Sequence, residues 1–212
     1  MPTIENRSHR SRKLNPRSHP KGAYEYNNPS EDAPWVKMGR RAMLERPESM
    51  LMADFPRITG PGDFANLGHD AGGSACLLAA GILDQKYEDS VVHSVDINFE
   101  GSKRINDLID EFGASKIIRK CKGSTDEFAK VFQKRNQEFV FVFFDADHCY
   151  EAVVKDFKSY SQMVKIGGFV AFHDTHQDFS HRAVEDTVAK NSDWKERADL
   201  HVYTIRVFER VS

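Results

Sequence analysis

The sequence predicts an α/β fold, a mostly parallel sheet with helices on both faces, and three observations carry that prediction. From about residue 61, short β-rich runs alternate with helical patterns, the signature of strand and helix units laid side by side. Phe139 to Phe144 is an unbroken apolar run, as expected of a central parallel strand buried on both faces. Ile105, Leu108, Ile109 and Phe112 fall at i, i+3, i+4 and i+7 with Gly113 as a stop, so one helical face must lie on the sheet.

The elements follow in order. Asp63 to Leu67 reads as the first strand, Gly68 to Gly73 as a glycine-bearing turn, and Ser74 as the start of an Ala- and Leu-rich helix ending at Gly81. Val91 to Val95 is a second strand that ends in Asp96, and Ile117 to Cys121 is a third. Thr125 can cap a helix carrying Phe128, Val131 and Phe132. After the fourth strand, Phe139 to Phe144, a helix from Tyr150 sets Val153, Val154, Phe157 and Tyr160 on one side and stops before Gly167 and Gly168. Phe169 to Phe172 forms the fifth strand, Ser180 to Lys190 a further helix, and Leu200 to Phe208 a late strand.

The 212 residues suffice for one such domain with a modest extension, and they divide into a tail (1–22), a helical N-terminal cap (23–60) and the α/β domain (61–212). Arg7, Arg10, Arg12, Lys13, Arg17 and Lys21 make the tail basic, either as a solvated segment or as a contact for an anionic substrate or nucleic acid. The formal net charge of −2 itself gives no sign of a nucleic-acid partner. Trp35 to Ala53 has helical character interrupted by Pro47, and suits a cap beside a ligand edge or packing over a sheet edge equally well. No apolar run approaches the roughly 20 residues of a membrane span, and the tail has no secretory apolar core. Cys76, Cys121 and Cys149 are odd in number and widely spaced, which fits a reducing cytoplasm better than a disulfide framework or a zinc knuckle. The oligomeric state stays open, a homo-oligomer included.

In an open parallel sheet, ligands bind beyond the carboxyl ends of the strands, and here those positions are polar. The first strand leads into Gly68, His69, Asp70, Ala71, Gly72, Gly73 and Ser74, where glycine lets a ligand approach the backbone and a helix N-terminus offers amides to an anion. Asp96 stands where a carboxylate can accept both hydroxyls of a ribose, or simply end a strand at the surface. Asp145, Ala146, Asp147 and His148 follow the fourth strand, and His173 and Asp174 the fifth. Carboxylates converging on a cleft suit a hard divalent cation and a nearby histidine suits proton transfer; alternatively Asp147 and Asp174 are helix caps and His173 a core residue.

Five segments, NLGHDAGGSA (Asn66 to Ala75), HSVDIN (His93 to Asn98), KGSTD (Lys122 to Asp126), FFDADHCYE (Phe143 to Glu151) and IGGFVAFHDT (Ile166 to Thr175), come in an order that resembles the class I S-adenosylmethionine-dependent methyltransferases. The likeness is to the small-molecule O-methyltransferase branch with catechol, caffeoyl-CoA and macrocin-type enzymes, and it covers roughly residues 61 to 208. It implies a Rossmann-like, doubly wound, seven-stranded sheet, S-adenosylmethionine as cofactor and a small-molecule acceptor. On the matching positions, Gly68, Gly72 and Gly73 would lie against the methionine part of the cofactor and Ser74 would bind its carboxylate. Asp96 would hold the ribose, Ser124 would lie by the adenine, and Asp145 would face the cofactor amine or a metal. Asp145, His173 and Asp174 match the positions that hold magnesium in metal-dependent relatives.

Two departures matter. Asn66 stands where an acidic residue is usual, and His173 replaces a carboxylate, which leaves either Asp145 and Asp174 alone with the metal or a softer metal than magnesium. His148, three residues after Asp145 where some relatives carry a lysine, is the expected base toward the acceptor. The competing readings are a nicotinamide-dependent oxidoreductase, disfavoured because no GxGxxG follows the first strand, a metal-dependent hydrolase, and a binding module that has lost catalysis.

Overall fold

A computed structural model describes residues 43–70, 72–99, 107, 109, 110 and 113–212. The tail 1–22, residues 23–42 of the cap, and Ile105, Leu108 and Phe112 of the periodic helix lie outside the described residues; Ile109 is buried in the core.

Seven strands form one sheet in the order β3-β2-β1-β4-β5-β7-β6. They are β1 (Phe64–Leu67), β2 (Val92–Asp96), β3 (Ile118–Lys122), β4 (Phe139–Phe144), β5 (Val164–Phe172), β6 (Trp194–Glu196) and β7 (Arg206–Arg210). The first five are parallel to their neighbours, and β7 pairs antiparallel with β5 and β6. The helices are α1 (Arg46–Thr59), α2 (Gly73–Gln85), α3 (Thr125–Lys134), α4 (Tyr150–Tyr160) and α5 (Asp178–Asp186).

The apolar run of β4 feeds two cores at once. Phe141 and Phe143 pack with Phe64, with Leu51 and Phe55 of α1, and with Leu77 and Ile82 of α2. Val142 and Phe144 pack on the other face with Phe132 of α3, Val153 and Phe157 of α4 and Val184 of α5. Phe55 stacks on Phe141 at 4.0 Å between ring centroids, so α1 is part of the same core as the sheet.

Several boundaries differ from those read in the sequence. Pro47 sits in the first turn of α1, where a missing N–H costs nothing, beneath a capping box of Glu45 and Glu48. Gly81 does not end α2, which runs on to Gln85 and stops at Lys86 in the left-handed region. Gly81 is instead a packing position: a β-carbon there would fall 2.1 Å from the Ala53 carbonyl of α1 and 2.8 Å from the Pro56 ring. Ser124, not Thr125, caps α3, in a capping box with Glu127. β5 begins at Val164 and carries Gly167 and Gly168 through a register shift against β4. α5 ends at Asp186 and a short 3₁₀ turn, Val188–Lys190, follows it. The late strand is Arg206–Arg210, preceded by the unanticipated three-residue β6. Among the described residues no helix is long and apolar enough to cross a membrane.

Thr125, freed from capping, donates its hydroxyl to the buried Asp156 of α4 at 2.6 Å. Burial pushes the Asp156 carboxyl up to about 6, against the lowering effect of that hydrogen bond. The folded chain therefore holds this proton more tightly than the unfolded one, and the stability it contributes below about pH 4 is lost as pH rises through 6. Asp156→Asn keeps an oxygen for Thr125 and should raise unfolding stability by about 1–2 kcal/mol at pH 8 with little effect at pH 4, as urea denaturation at both values will read. Gly81→Ala should lower stability by about 1–3 kcal/mol by forcing α1 off α2, measurable in the same experiment.

Candidate functional site

β1 lies between β2 and β4, and the chain leaves β1 and β4 toward opposite edges of the sheet, which opens a crevice at their carboxyl ends. A cleft of about 400 Å³ lies there, lined by Met43, Gly68, His69, Asp70, Gly73, Ser74, Asp145, Ala146, His148, His173 and Asp174. Gly68 makes the crevice tight. Its φ is +93°, and a β-carbon would fall 2.2 Å from the Asp145 carbonyl oxygen. Gly72, with φ +77°, turns the chain into α2, whose first residues Gly73 and Ser74 set the helix N-terminus against the cleft.

Asp96 holds this turn from the neighbouring strand. Its Oδ2 accepts the backbone N–H of His69 at 2.7 Å and of Asp70 at 3.1 Å, while Oδ1 accepts that of Asn98 at 2.8 Å. Burial works to raise its pKa, but the three amides outweigh it and keep the carboxylate ionised below the usual range. Asp96 is therefore a clamp on the first turn as well as a strand end. Ser124 sits at the end of β3 with its hydroxyl bonded to Glu127, and neither Ser124 nor Asp96 nor Gly72 lines the cleft wall.

His69 carried no role in the sequence, yet it is buried beneath the turn. Its Nδ1 lies 2.6 Å from Ser94 Oγ and its ring 4.6 Å from that of Phe99. Burial, aided by Lys120, pushes its pKa down to about 4, so the ring is neutral near pH 7. Asn66 donates to the Gly68 carbonyl at 2.7 Å. Asn66 Oδ1 and His69 Nε2 are buried polar atoms with no hydrogen-bond partner among the described residues.

On the other side of the crevice the expected acids and histidines do come together. His173 Nδ1 lies 2.8 Å from Asp145 Oδ1. His148 Nε2 stands 4.0 Å from the same oxygen and 3.7 Å from Asp174 Oδ2. Asp147 accepts the Cys149 amide and helps shape the entry to α4. Glu48 was not foreseen: this carboxylate of α1 is 1% exposed and its Oε2 lies 3.7 Å from His173 Nε2. A charged residue inside a Met-rich helical stretch was the only sign of it in the sequence, and nothing there paired it with position 173.

Asp145, His173 and Asp174, expected as a metal-binding set, all line the cleft. Among the described residues no group of three or more His, Cys, Asp or Glu side chains is arranged to hold a metal ion. His173 Nδ1 faces Asp145, and its Nε2 lies 3.7 Å from Glu48.

No curated protein matches the chain. Solved structures share its fold at low identity. The O-methyltransferase TomG from Streptomyces achromogenes, solved with S-adenosylmethionine, has a TM-score of 0.67 at 15% identity, covering 86% of this chain and 92% of its own. An O-methyltransferase from Bacillus cereus in complex with S-adenosylhomocysteine has a TM-score of 0.63 at 12% identity, with 87% and 84% covered. A methyltransferase from Geobacter sulfurreducens has a TM-score of 0.63 at 13% identity, with 86% and 91% covered. These likenesses establish the Rossmann-like methyltransferase fold. Residues 65–175, just over half of the chain and the stretch that builds the cleft from β1 to the end of β5, match the profile of a methyltransferase domain, and the chain belongs to that family.

Proposed function

We propose that the protein binds S-adenosylmethionine in this cleft and transfers its methyl group to a hydroxyl of a small molecule. The observation that carries the reading is the meeting of Gly68, the α2 N-terminus and Asp145 around one cleft of about 400 Å³, where His69 Nε2 is a buried atom with no hydrogen-bond partner among the described residues. Family membership and the cofactor complexes of TomG and the Bacillus cereus enzyme support it.

The chain's residues fit such a ligand. The Gly68 to Gly73 turn would lie against the methionine part, with Ser74 and the α2 amides toward its carboxylate. Asp96, ionised and one strand over, would take the ribose; Ser124 would lie toward the adenine and Asp145 toward the amine. When bound, the cofactor supplies an electrophilic methyl group on a sulfonium. The enzyme's own work is alignment, exclusion of water and removal of a proton from the acceptor.

His148 is the group for that proton. It lines the cleft, is about one-third exposed, and stands between Asp145 and Asp174, whose charges stabilise an imidazolium once the proton has moved. Met43, which lines the cleft, and the His176 to Phe179 segment, with Phe179 strongly exposed, would be the parts of the chain that contact the acceptor. A divalent cation fits this donor set poorly, since His173 turns both nitrogens to carboxylates. A cytoplasmic setting belongs to the same reading, because all three cysteines are free thiols.

Calorimetry should show S-adenosylmethionine and S-adenosylhomocysteine binding one per chain and NAD not binding; binding of NAD alone would overturn the reading in favour of an oxidoreductase. In an acceptor screen, His148→Ala should slow methyl transfer by about 10²- to 10⁴-fold while leaving cofactor affinity unchanged. An unaltered rate from pH 6 to 9 would remove His148 from the role of base.

A further inference from the structure

We propose that His69 is a further cofactor-binding residue: from beneath the first turn it donates its Nε2–H to a ribose hydroxyl oxygen of the adenosyl ligand, completing the hold that Asp96 begins. The inference rests on the methyltransferase reading for the ligand and on the chain's own hydrogen bonds for the rest.

The bonds beneath the turn fix which nitrogen of the ring carries the proton. The Gly68 carbonyl can only accept, so the Asn66 side chain must turn its Nδ2 to it, at 2.7 Å, and the same Nδ2 donates to Ser94 Oγ at 3.2 Å. Ser94 is fully buried, and among the described residues its hydroxyl has one further partner, His69 Nδ1 at 2.6 Å. The hydroxyl proton therefore goes to Nδ1, and the ring proton stands on Nε2. Burial, which pushes the ring's pKa down to about 4, keeps a second proton off it near neutral pH. Nε2–H is thus a buried donor with no partner among the described residues, on a residue that lines the cleft. An N–H left unpaired out of water costs free energy that an acceptor on a ligand restores.

The acceptor is identified by what stands beside the ring. Ser94 and Asp96 are two apart on β2 and share a face of the sheet, and the His69 backbone N–H is itself bonded to Asp96 Oδ2 at 2.7 Å. Asp96 is not in the cleft wall, and His69 links it to the cleft. The amides of His69, Asp70 and Asn98 already fill most of the roughly four lone-pair sites of the Asp96 carboxylate, which leaves about one for a hydroxyl proton. A ribose diol presents both protons and acceptor oxygens; a carboxylate meets only the protons, and an imidazole N–H only the oxygens. The two side chains are complementary halves of one site for a hydroxyl pair. Nε2 is closed to water, so the ribose meets it through a local side-chain shift of the kind that binding commonly brings.

The test is calorimetry on the full chain with S-adenosylhomocysteine and its 2′-deoxy and 3′-deoxy analogues. His69→Phe, which keeps a ring against Phe99 but has no N–H, should weaken S-adenosylhomocysteine binding by about 3- to 30-fold. His69→Gln, long enough to set an amide N–H near the place of Nε2–H, should restore most of it. For the wild-type chain one deoxy analogue should bind more weakly by a similar factor, and His69→Phe should no longer distinguish that analogue from the parent. A loss in His69→Phe that is equal for all three ligands marks a merely structural role and would overturn the proposal. Should His69→Phe fail to fold, NMR of wild-type protein labelled with ¹⁵N-histidine decides: His69 should carry its proton on Nε2, with that resonance shifting when S-adenosylhomocysteine is added. A proton on Nδ1, or a resonance that does not move, would overturn it. The two readings fail differently: unchanged affinity in His69→Phe refutes this inference alone, whereas a wild-type chain that binds no S-adenosylhomocysteine refutes the cofactor reading and this inference with it.

Discussion

The parallel pairing of β1 with β4, closed at its end by the absence of a side chain on Gly68, is the constraint on which the rest of the structure rests. It places the end of β1 against the backbone of Asp145, and β5 beside β4 then brings His173 and Asp174 to the same rim. The pairing is secured from below, because Phe141, Phe143, Val142 and Phe144 alternate between two cores and tie helices from both faces to one strand. A shift of β4 by one residue would exchange those faces and aim Asp145 away from the crevice.

Much of this was legible in the chain itself. The apolar run of β4 and the glycines after β1 located the central strands, and the acids that end β2, β4 and β5 located the rim, because in a parallel sheet those positions must share an edge. What failed was local punctuation. Gly81 looked like a helix stop, but a glycine serves equally well where two helices touch, and only the position of Ala53 and Pro56 tells the two uses apart. Thr125 and Ser124 are adjacent hydroxyls, and which one caps depends on where Glu127 can reach and on Asp156, thirty-one residues away.

The candidate site divides in the same manner. Residues that follow strands were found by counting, whereas Glu48, His69 and Thr204 were not, because their roles arise from contacts between distant parts of the chain. The Glu48 to Thr204 bond spans 156 residues and has no periodicity to announce it. His173 was noticed as a departure from a carboxylate, but its meaning depends on the anion that faces its second nitrogen.

Glu48 and Thr204 both lie outside the stretch that matches the methyltransferase profile, one before it and one after. The carboxylate that faces His173 Nε2 is therefore supplied and held by the flanks and not by the matched segment. A fragment cut to residues 65–175 would keep every glycine and acid of the motifs while losing the carboxylate that faces His173 Nε2. The edges of this domain are better drawn by such long-range contacts than by similarity.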